Sequence, residues 1–264
     1  MVVITVLTPT YNRVLTLPRL FHSLCAQSSM AFEWLVVDDG SNDGTYKLLN
    51  EFSVSAPFNI RVIQQSNSGK HVALNNGFAA AHSPWVFIVD SDDALISTAI
   101  EEVECSLSDL DGELLVGVCY RRAYFDLNLI GFNISVGNEP IIMSPSEAGH
   151  FFKGDLAYIF KTEALLRNPF PVVPGEKFVP ELLIWNKIGD EGDIYFFCDR
   201  AIYLCDYLED GYSKNFSSNL RRNPMGFLIF YWSQVFREKK LLYKFKNLLR
   251  VAQCLLYKLV NRFL

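Results

Sequence analysis

Residues Trp85 to Asp93 read WVFIVDSDD, an apolar segment of strand length that ends in three carboxylates within four residues. A run of valine, isoleucine and aromatic residues without polar alternation is typical of a strand buried on both faces of a sheet. The crowded acids Asp90, Asp92 and Asp93 repel one another unless a cation or strong hydrogen-bond donors lie beside them. A Mg²⁺ or Mn²⁺ ion that carries a substrate's phosphates would satisfy them, and a solvated turn that caps the next helix is the alternative.

The segments that precede this strand alternate between strand-like and helix-like patterns. We predict strands at residues 2–7, 32–37, 60–64 and 85–89, and helices at residues 17–27, 45–52 and 69–81. Short links in a β-α-β-α order favour an α/β fold with a doubly wound, mostly parallel sheet and right-handed crossovers. Ligands of such sheets bind just outside the carboxyl ends of the strands.

The second half of the chain is less regular. Its pattern predicts strands at residues 114–120 and 156–160, and a strand pair at residues 194–197 and 202–207. A helix at residues 180–188 is predicted to open at Pro180, since proline suits the first turn of a helix. Two further helices, at residues 225–236 and 241–263, have an apolar stripe with basic residues mostly off it.

Composition narrows the class of protein. Half of the residues are hydrophobic, which suits a sizeable core, and the six cysteines form no C-x-x-C pair. We therefore expect reduced thiols in a cytosolic protein and no zinc site. The chain enters an apolar strand at Val2 without a charged leader, so we expect no signal peptide, and no run reaches the ~18 apolar residues of a membrane span.

Charge is distributed unevenly. Residues 214–264 hold eleven Lys or Arg and one acid, which leaves thirteen basic and twenty-eight acidic residues in 1–213. We predict a body at residues 1–213 and a basic amphipathic helical tail at residues 214–264. Such a tail indicates an anionic partner, and a basic amphipathic helix favours a membrane surface over nucleic acid, for which no recognition motif is present. The apolar stripe could also pair two chains as a homodimer.

Polar residues follow the first, second and fourth predicted strands, which brings them to one edge of the sheet. The motifs that contain these residues, together with one further motif, resemble those of the family 2 glycosyltransferases. Enzymes of that family have the GT-A fold and transfer a sugar from a nucleotide diphosphate sugar. The matching motifs are PTYN at 9–12, VDDGS at 37–41, NSGK at 67–70 with Asn75 and Gly77 beyond it, and DSDD at 90–93. The resemblance covers residues 1–210 and is greatest to bacterial enzymes that build capsule and other surface polysaccharides.

The resemblance implies roles for individual residues. In the family's pattern Pro9 belongs to the nucleotide-binding motif, Tyr11 stacks on the base, and Asp39 accepts its imide N–H, which favours uracil. Lys70 lies at the position of a base-facing or phosphate-facing cation. Asp90 and Asp92 match the D-x-D motif, which places Asp92 on the metal and Asp90 nearer the ribose or the metal. Asp93 is the alternative metal ligand.

An acceptor hydroxyl must lose its proton to a carboxylate, and Glu181 matches the family's catalytic acid. It lies at the start of a predicted helix, where a carboxylate is stabilised, so a helix-terminal carboxylate without a catalytic role is the alternative. Weaker candidates for the base are Asp155, Glu176, Glu209 and Asp210. A single base and a single displacement imply inversion at the anomeric carbon.

These patterns favour a metal-dependent inverting enzyme that uses a UDP-hexose or UDP-N-acetylhexosamine and a lipid-linked saccharide acceptor at the inner face of the cell membrane. A sugar-nucleotide pyrophosphorylase would carry a glycine-rich loop where this chain has PTYN, and a dinucleotide oxidoreductase requires G-x-G-x-x-G. The non-enzymatic alternative is an inactive protein of the same fold that binds a nucleotide sugar or a partner.

Overall fold

The structure is a computed structural model that describes residues 3–110, 114–134, 137, 139–206 and 215–261. Its first half alternates strands and helices, as the sequence pattern predicts. The elements are β1 (Ile4–Thr10), α1 (Leu17–Cys25), β2 (Phe32–Asp38), α2 (Thr45–Ser55), β3 (Asn59–Gln64), α3 (Lys70–Ala80), β4 (Trp85–Ile88), β5 (Ala94–Leu95) and α4 (Ala99–Asp109). Of these, β5 and α4 are absent from the sequence prediction.

The second half adds strands to the same sheet and then continues as helices. Its elements are β6 (Leu115–Ala123), β7 (Ile141–Ile142), α5 (Pro145–Phe152), β8 (Leu156–Lys161), α6 (Thr162–Arg167), α7 (Leu182–Gly189), β9 (Asp193–Leu204), α8 (Phe216–Arg222), α9 (Pro224–Arg237) and α10 (Leu241–Val260). A C-terminal helical extension is therefore confirmed. The predicted boundary between residues 213 and 214 falls outside the described residues, so the division into two domains stays a prediction.

The strands form one mixed sheet. Their order is β3-β2-β1-β4-β8-β6-β9-β5, and β7 pairs with β9. The first four strands are mutually parallel, whereas β8 runs antiparallel to both of its neighbours. Side chains pack on both faces of the sheet, so every residue of β1, β2 and β4 is buried. Leu20, Leu49 and Ile100 of three helices pack on one face, and Leu74, Phe152 and Ile184 pack on the other.

The predicted strand pair at 194–197 and 202–207 is wrong. Residues Asp193–Leu204 form the single strand β9, which runs parallel to β6, and Tyr207 lies outside the described residues. The pairing shifts between Phe197 and Ala201, where the exposed Asp199 and Arg200 bulge out of the ladder. A bulge interrupts the apolar pattern in the same way as a turn does, so the sequence alone could not separate the two.

The start of α3 approaches the segment before α7 very closely. Gly69 precedes α3 with φ +100°, and a Cβ atom built on it would lie 2.2 Å from the carbonyl oxygen of Lys177. Two separate demands, the positive φ and the backbone contact, therefore require glycine at this position. This contact fixes the distance between the two halves of the chain.

We predict that Gly69→Ala destabilises the protein by roughly 2 kcal/mol or more, because it adds backbone strain to overpacking. The matched control is Gly149→Ala in α5, where a Cβ atom would meet nothing within 4 Å. That change should leave stability unchanged or raise it, since alanine is the better helix former. Urea denaturation of the three proteins measures the difference. Equal midpoints for the two variants would contradict the packing described here.

Candidate active site

A cavity of about 650 Å³ lies at the carboxyl edge of the parallel strands. It receives residues from the ends of β1, β2 and β4, from the start of α3 and from the segment that leads into α7. The residues to which the family resemblance assigns a role all line it, namely Pro9, Tyr11, Asp39, Lys70, Asp90, Asp92, Asp93 and Glu181. Sequence motifs separated by more than 170 residues thus meet in one cavity.

The loop after β2 presents Asp39 to one end of the cavity. The carboxylate of Asp39 accepts hydrogen bonds from Gln65 Nε2 at 2.7 Å, from the Ser68 amide at 2.7 Å and from the Gly69 amide at 2.8 Å. A carboxylate offers about four acceptor positions, so one position remains for a ligand. Nearby, Tyr11 keeps 44% of its surface exposed. Asp39 therefore both orders the turn before α3 and can still accept one further N–H.

The acidic cluster after β4 is compensated by basic side chains of the protein itself. Lys70 Nζ lies 2.5 Å from Asp90 Oδ1, and Arg122 lies 3.8 Å from Asp90 Oδ2 and 3.7 Å from Asp93 Oδ2. Arg13 lies 4.0 Å from Asp92 Oδ2. The sequence predicts a cation or strong hydrogen-bond donors beside these acids. The fold places three basic side chains there: Arg122 from β6, Lys70 from α3 and Arg13 from the loop after β1.

The three carboxylates are held in different states. Burial raises the pKa of Asp90, but Lys70 and Arg122 outweigh it, so the pKa lies below its usual value and Asp90 stays charged. Burial and the charge of Asp90 raise the pKa of Asp92. The same two causes raise the pKa of Asp93 to about 7. Asp92 and Asp93 are thus the carboxylates for which added positive charge is most favourable.

Of these two, Asp92 is the better placed to bind a metal ion. Asp93 is 5% exposed and accepts a hydrogen bond from the Tyr203 hydroxyl at 2.7 Å, in addition to its contact with Arg122. The side chain of Asp92 is 23% exposed and lines the cavity. Among the described residues no three acidic, histidine or cysteine side chains converge to enclose a metal ion. One carboxylate that shares a Mg²⁺ or Mn²⁺ ion with a substrate's phosphates fits this arrangement.

Glu181 stands immediately before α7, which begins at Leu182, two residues later than the predicted start at Pro180. Its carbonyl accepts the first hydrogen bonds of that helix, and its carboxylate lies 2.8 Å from Lys70 Nζ. The Lys70 ammonium therefore bridges Asp90, which follows β4, and Glu181, which comes from a distant part of the chain. The predicted base and one of the predicted donor-binding acids are therefore direct neighbours of one cation.

The segment from Gly175 to Glu181 is held from both sides. Gly69 lies against the Lys177 carbonyl, and on the other side a Cβ atom on Gly226 would lie 2.4 Å from the Phe178 carbonyl. Glu176 accepts hydrogen bonds from the amides of Met225 at 2.9 Å and Gly226 at 2.8 Å, so it caps α9. Both oxygens of Glu176 are used in this cap, which leaves it poorly suited to act as the base.

Of the other candidates for the base, Asp155 lines the cavity, whereas Glu209 and Asp210 lie outside the described residues. Sequence reasoning assigned no role to Arg13, Arg122 or Tyr203. The only signal for Arg122 is a pair of arginines directly after an apolar strand, and the Tyr203 hydroxyl meets Asp93 only because β9 folds back beside β6.

Comparison with known proteins agrees with this geometry. Residues 5–129 match the family model "Glycosyl transferase family 2". An uncharacterized glycosyltransferase of Nostoc sp. is 30% identical over 156 residues, which make up 59% of this chain and 44% of that protein. The matched segment thus spans less than half the length of that relative.

Solved structures share the fold. The structure of Staphylococcus aureus TarS residues 1–349 in complex with UDP-GlcNAc has a TM-score of 0.68 and 19% identity, and the match covers 96% of this chain and 71% of that one. A mannosyltransferase from Pyrobaculum calidifontis in complex with GDP-Man and Mn²⁺ has a TM-score of 0.62 and 17% identity, with 96% of this chain and 73% of that one covered. The motifs around the cavity, the family match and the shared architecture lead to one conclusion: residues 5–129 of this chain match the family 2 glycosyltransferases, and the chain has the GT-A fold.

Proposed function

We propose that this protein transfers a sugar from a UDP-sugar to a hydroxyl group of a saccharide acceptor, with inversion at the anomeric carbon. The observation that carries the proposal is the convergence of the D-x-D acids Asp90 and Asp92, the cation Lys70 and the carboxylate Glu181 on one cavity. A diphosphate needs positive charge and a hydroxyl nucleophile needs a base, and this cavity offers both.

The donor is assigned to the edge of the sheet. We place the uracil on Tyr11 and next to Pro9, with its imide N–H donated to the remaining acceptor position of Asp39. The diphosphate then extends toward Lys70 and Asp92. The relatives with bound nucleotides differ in their base, since TarS is described with UDP-GlcNAc and the mannosyltransferase with GDP-Man. The single acceptor left on Asp39 supports a base with an imide N–H over cytosine.

The chemical step is a single displacement. The acceptor oxygen forms a bond to the anomeric carbon, the bond from that carbon to the β-phosphate oxygen breaks, and its electron pair leaves with UDP. The acceptor proton passes to the carboxylate of Glu181. As the bond breaks, the sugar becomes oxocarbenium-like and negative charge grows on the leaving diphosphate. Lys70, Arg13 and Arg122 line the same cavity and can stabilise that charge.

A divalent metal fits this scheme at Asp92. A bound Mg²⁺ or Mn²⁺ would act there as a Lewis acid that stabilises the leaving diphosphate. Asp93 instead contacts Arg122 and accepts a hydrogen bond from the Tyr203 hydroxyl. Tyr203 also accepts a hydrogen bond from the Asp90 amide at 2.9 Å, which orients the D-x-D turn.

The C-terminal helices supply an interaction surface for an anionic membrane. No helix of the described residues is long and apolar enough to cross a bilayer. On α10, Val251 and Cys254 are buried, whereas a row of large apolar side chains is exposed: Leu241, Leu242, Phe245, Leu248, Leu249, Leu255, Leu256 and Leu259. Basic side chains flank that row, which suits binding in the plane of an anionic leaflet.

A lipid-linked acceptor fits this surface, because a peripheral enzyme on the inner face of the cell membrane would meet such an acceptor there. We accordingly propose a role in capsule or other surface polysaccharide synthesis. The alternative occupant of the apolar row is a second copy of this chain. The alternative function is an inactive protein that binds a nucleotide sugar or a partner, and only product formation separates it from an enzyme.

Calorimetric titration with UDP, CDP, GDP and dTDP, each with and without Mn²⁺, tests donor binding. We expect UDP to bind more tightly than CDP and Mn²⁺ to strengthen UDP binding. Asp92→Ala should remove the effect of Mn²⁺ and Asp93→Asn should keep it, because asparagine can still accept the Tyr203 hydroxyl. If no nucleotide binds, the proposed function fails. If Asp93→Asn alone abolishes the metal effect, the metal assignment is wrong.

Glu181→Gln tests the base. We predict that it lowers sugar transfer by roughly 10²–10⁴-fold, the usual contribution of a general base, and does not weaken UDP binding. The assay follows release of labelled UDP from UDP-glucose, UDP-galactose and UDP-GlcNAc in the presence of polyprenyl-diphosphate-linked saccharides. The exposed Glu51→Gln is the matched control and should retain full rate. A full rate in Glu181→Gln would place the base elsewhere.

Vesicle sedimentation tests the membrane surface. We expect binding to vesicles that contain phosphatidylglycerol, weaker binding to pure phosphatidylcholine, and release at high salt, because exposed charges are screened. The double variant Leu248→Glu with Leu255→Glu should lose binding, whereas Val54→Glu, at an even more exposed apolar position on α2, should not. Wild-type protein that sediments as a dimer and ignores anionic vesicles would contradict the membrane assignment.

A further inference from the structure

Lys70 is shared between two carboxylates that the reaction needs for different purposes. Its ammonium lies 2.5 Å from Asp90 Oδ1 and 2.8 Å from Glu181 Oε1. Within the part of the chain that the structure describes, Lys70 is the only basic side chain at ion-pair distance from Glu181. Asp90 has a second basic neighbour, because Arg122 lies 3.8 Å from its other oxygen.

In this arrangement the proposed base, Glu181, is paired with Lys70. The Lys70 ammonium lies 2.8 Å from Oε1 of Glu181, so it competes with any acceptor hydroxyl that would donate a hydrogen bond to that oxygen. Transfer of the acceptor proton to Oε1 therefore requires Lys70 to move away.

A donor diphosphate would compete for the same ammonium. The diphosphate carries negative charge into the cavity that Lys70 lines, and Lys70 is a flexible point charge whose three N–H groups can turn between partners. The loss of Lys70 leaves Asp90 compensated by Arg122, whereas among the described residues it leaves Glu181 without a basic partner. Release of Glu181 would free a proton acceptor, so Glu181 is the partner that Lys70 is expected to leave.

We propose that Lys70 exchanges partners when the donor binds: it leaves Glu181 for the diphosphate, and this frees the Glu181 carboxylate for the acceptor hydroxyl. This inference rests on the proposed function. The exchange makes Oε1 of the base available only when a donor occupies the site. Lys70 is in this view the link between donor binding and the activation of the acceptor.

The consequence that can be measured is competition between Glu181 and UDP for Lys70. Glu181→Gln should tighten UDP binding about five- to tenfold, in the usual range of coupling between two sites. In a Lys70→Met background the same change should have little effect, because no ammonium remains to be released. Titration calorimetry of UDP with the wild type, the two single variants and the double variant gives this cycle.

Asp155→Asn is the matched control, since it removes another cavity carboxylate, one that lies near Arg122. Its effect on UDP binding should be the same in both backgrounds. Lys70→Gln repeats the cycle if Lys70→Met does not fold, and Lys70→Arg should retain part of the gain because it keeps the charge.

An equal gain from Glu181→Gln in both backgrounds would mean that the glutamate only repels UDP, and would overturn the exchange. Weaker UDP binding in Glu181→Gln would overturn it too, because Glu181 would then hold Lys70 in its productive position. Either result leaves the proposed function intact. Failure of the wild type to bind UDP would contradict the proposed function itself.

Discussion

The pair of contacts that Lys70 makes with Asp90 and Glu181 joins the two halves of this protein at its cavity. Asp90 belongs to the parallel part of the sheet, and Glu181 belongs to the irregular second half. Lys70 can meet both because it is the first residue of α3, and the glycine before it allows the α3 backbone to lie against the Lys177 carbonyl. A side chain at Gly69 would force the two halves apart. The geometry of the active site therefore depends on the lack of a side chain at Gly69.

Charge compensation explains why so acidic an edge is stable. Four carboxylates, on Asp90, Asp92, Asp93 and Glu181, meet three basic side chains, on Arg13, Lys70 and Arg122. The raised pKa values of Asp92 and Asp93 show that this compensation is incomplete in the ligand-free protein. A cation that arrives with a diphosphate would complete it, and the diphosphate would in turn find three basic groups. The site thus favours a ligand that contains both a cation and a negatively charged diphosphate.

The first half of the fold and the list of cavity residues could be predicted from the sequence, because apolar strands that end in polar motifs are local signals and parallel strands place those ends together. What could not be predicted depends on contacts between distant segments. Arg122 extends β6 beyond its apolar part, and Tyr203 reaches Asp93 only through the parallel pairing of β6 with the bulged β9. Glu176 resembled a possible base, yet its partners are amides of α9, about fifty residues away. Those contacts also hold α9 against the segment that leads to Glu181, although α9 belongs to the basic C-terminal region that the sequence separates from the body.

The most direct test of this account is a crystal structure of the wild-type protein with UDP and Mn²⁺. The account predicts the uracil on Tyr11 and Asp39, the diphosphate between Asp92 and Lys70, and the Lys70 ammonium on the diphosphate and no longer on Glu181. UDP bound away from Asp39 and Asp92 would contradict the assignment of the cavity as a donor site. UDP bound as expected, with Lys70 still on Glu181, would retain the donor site and contradict the release of the base.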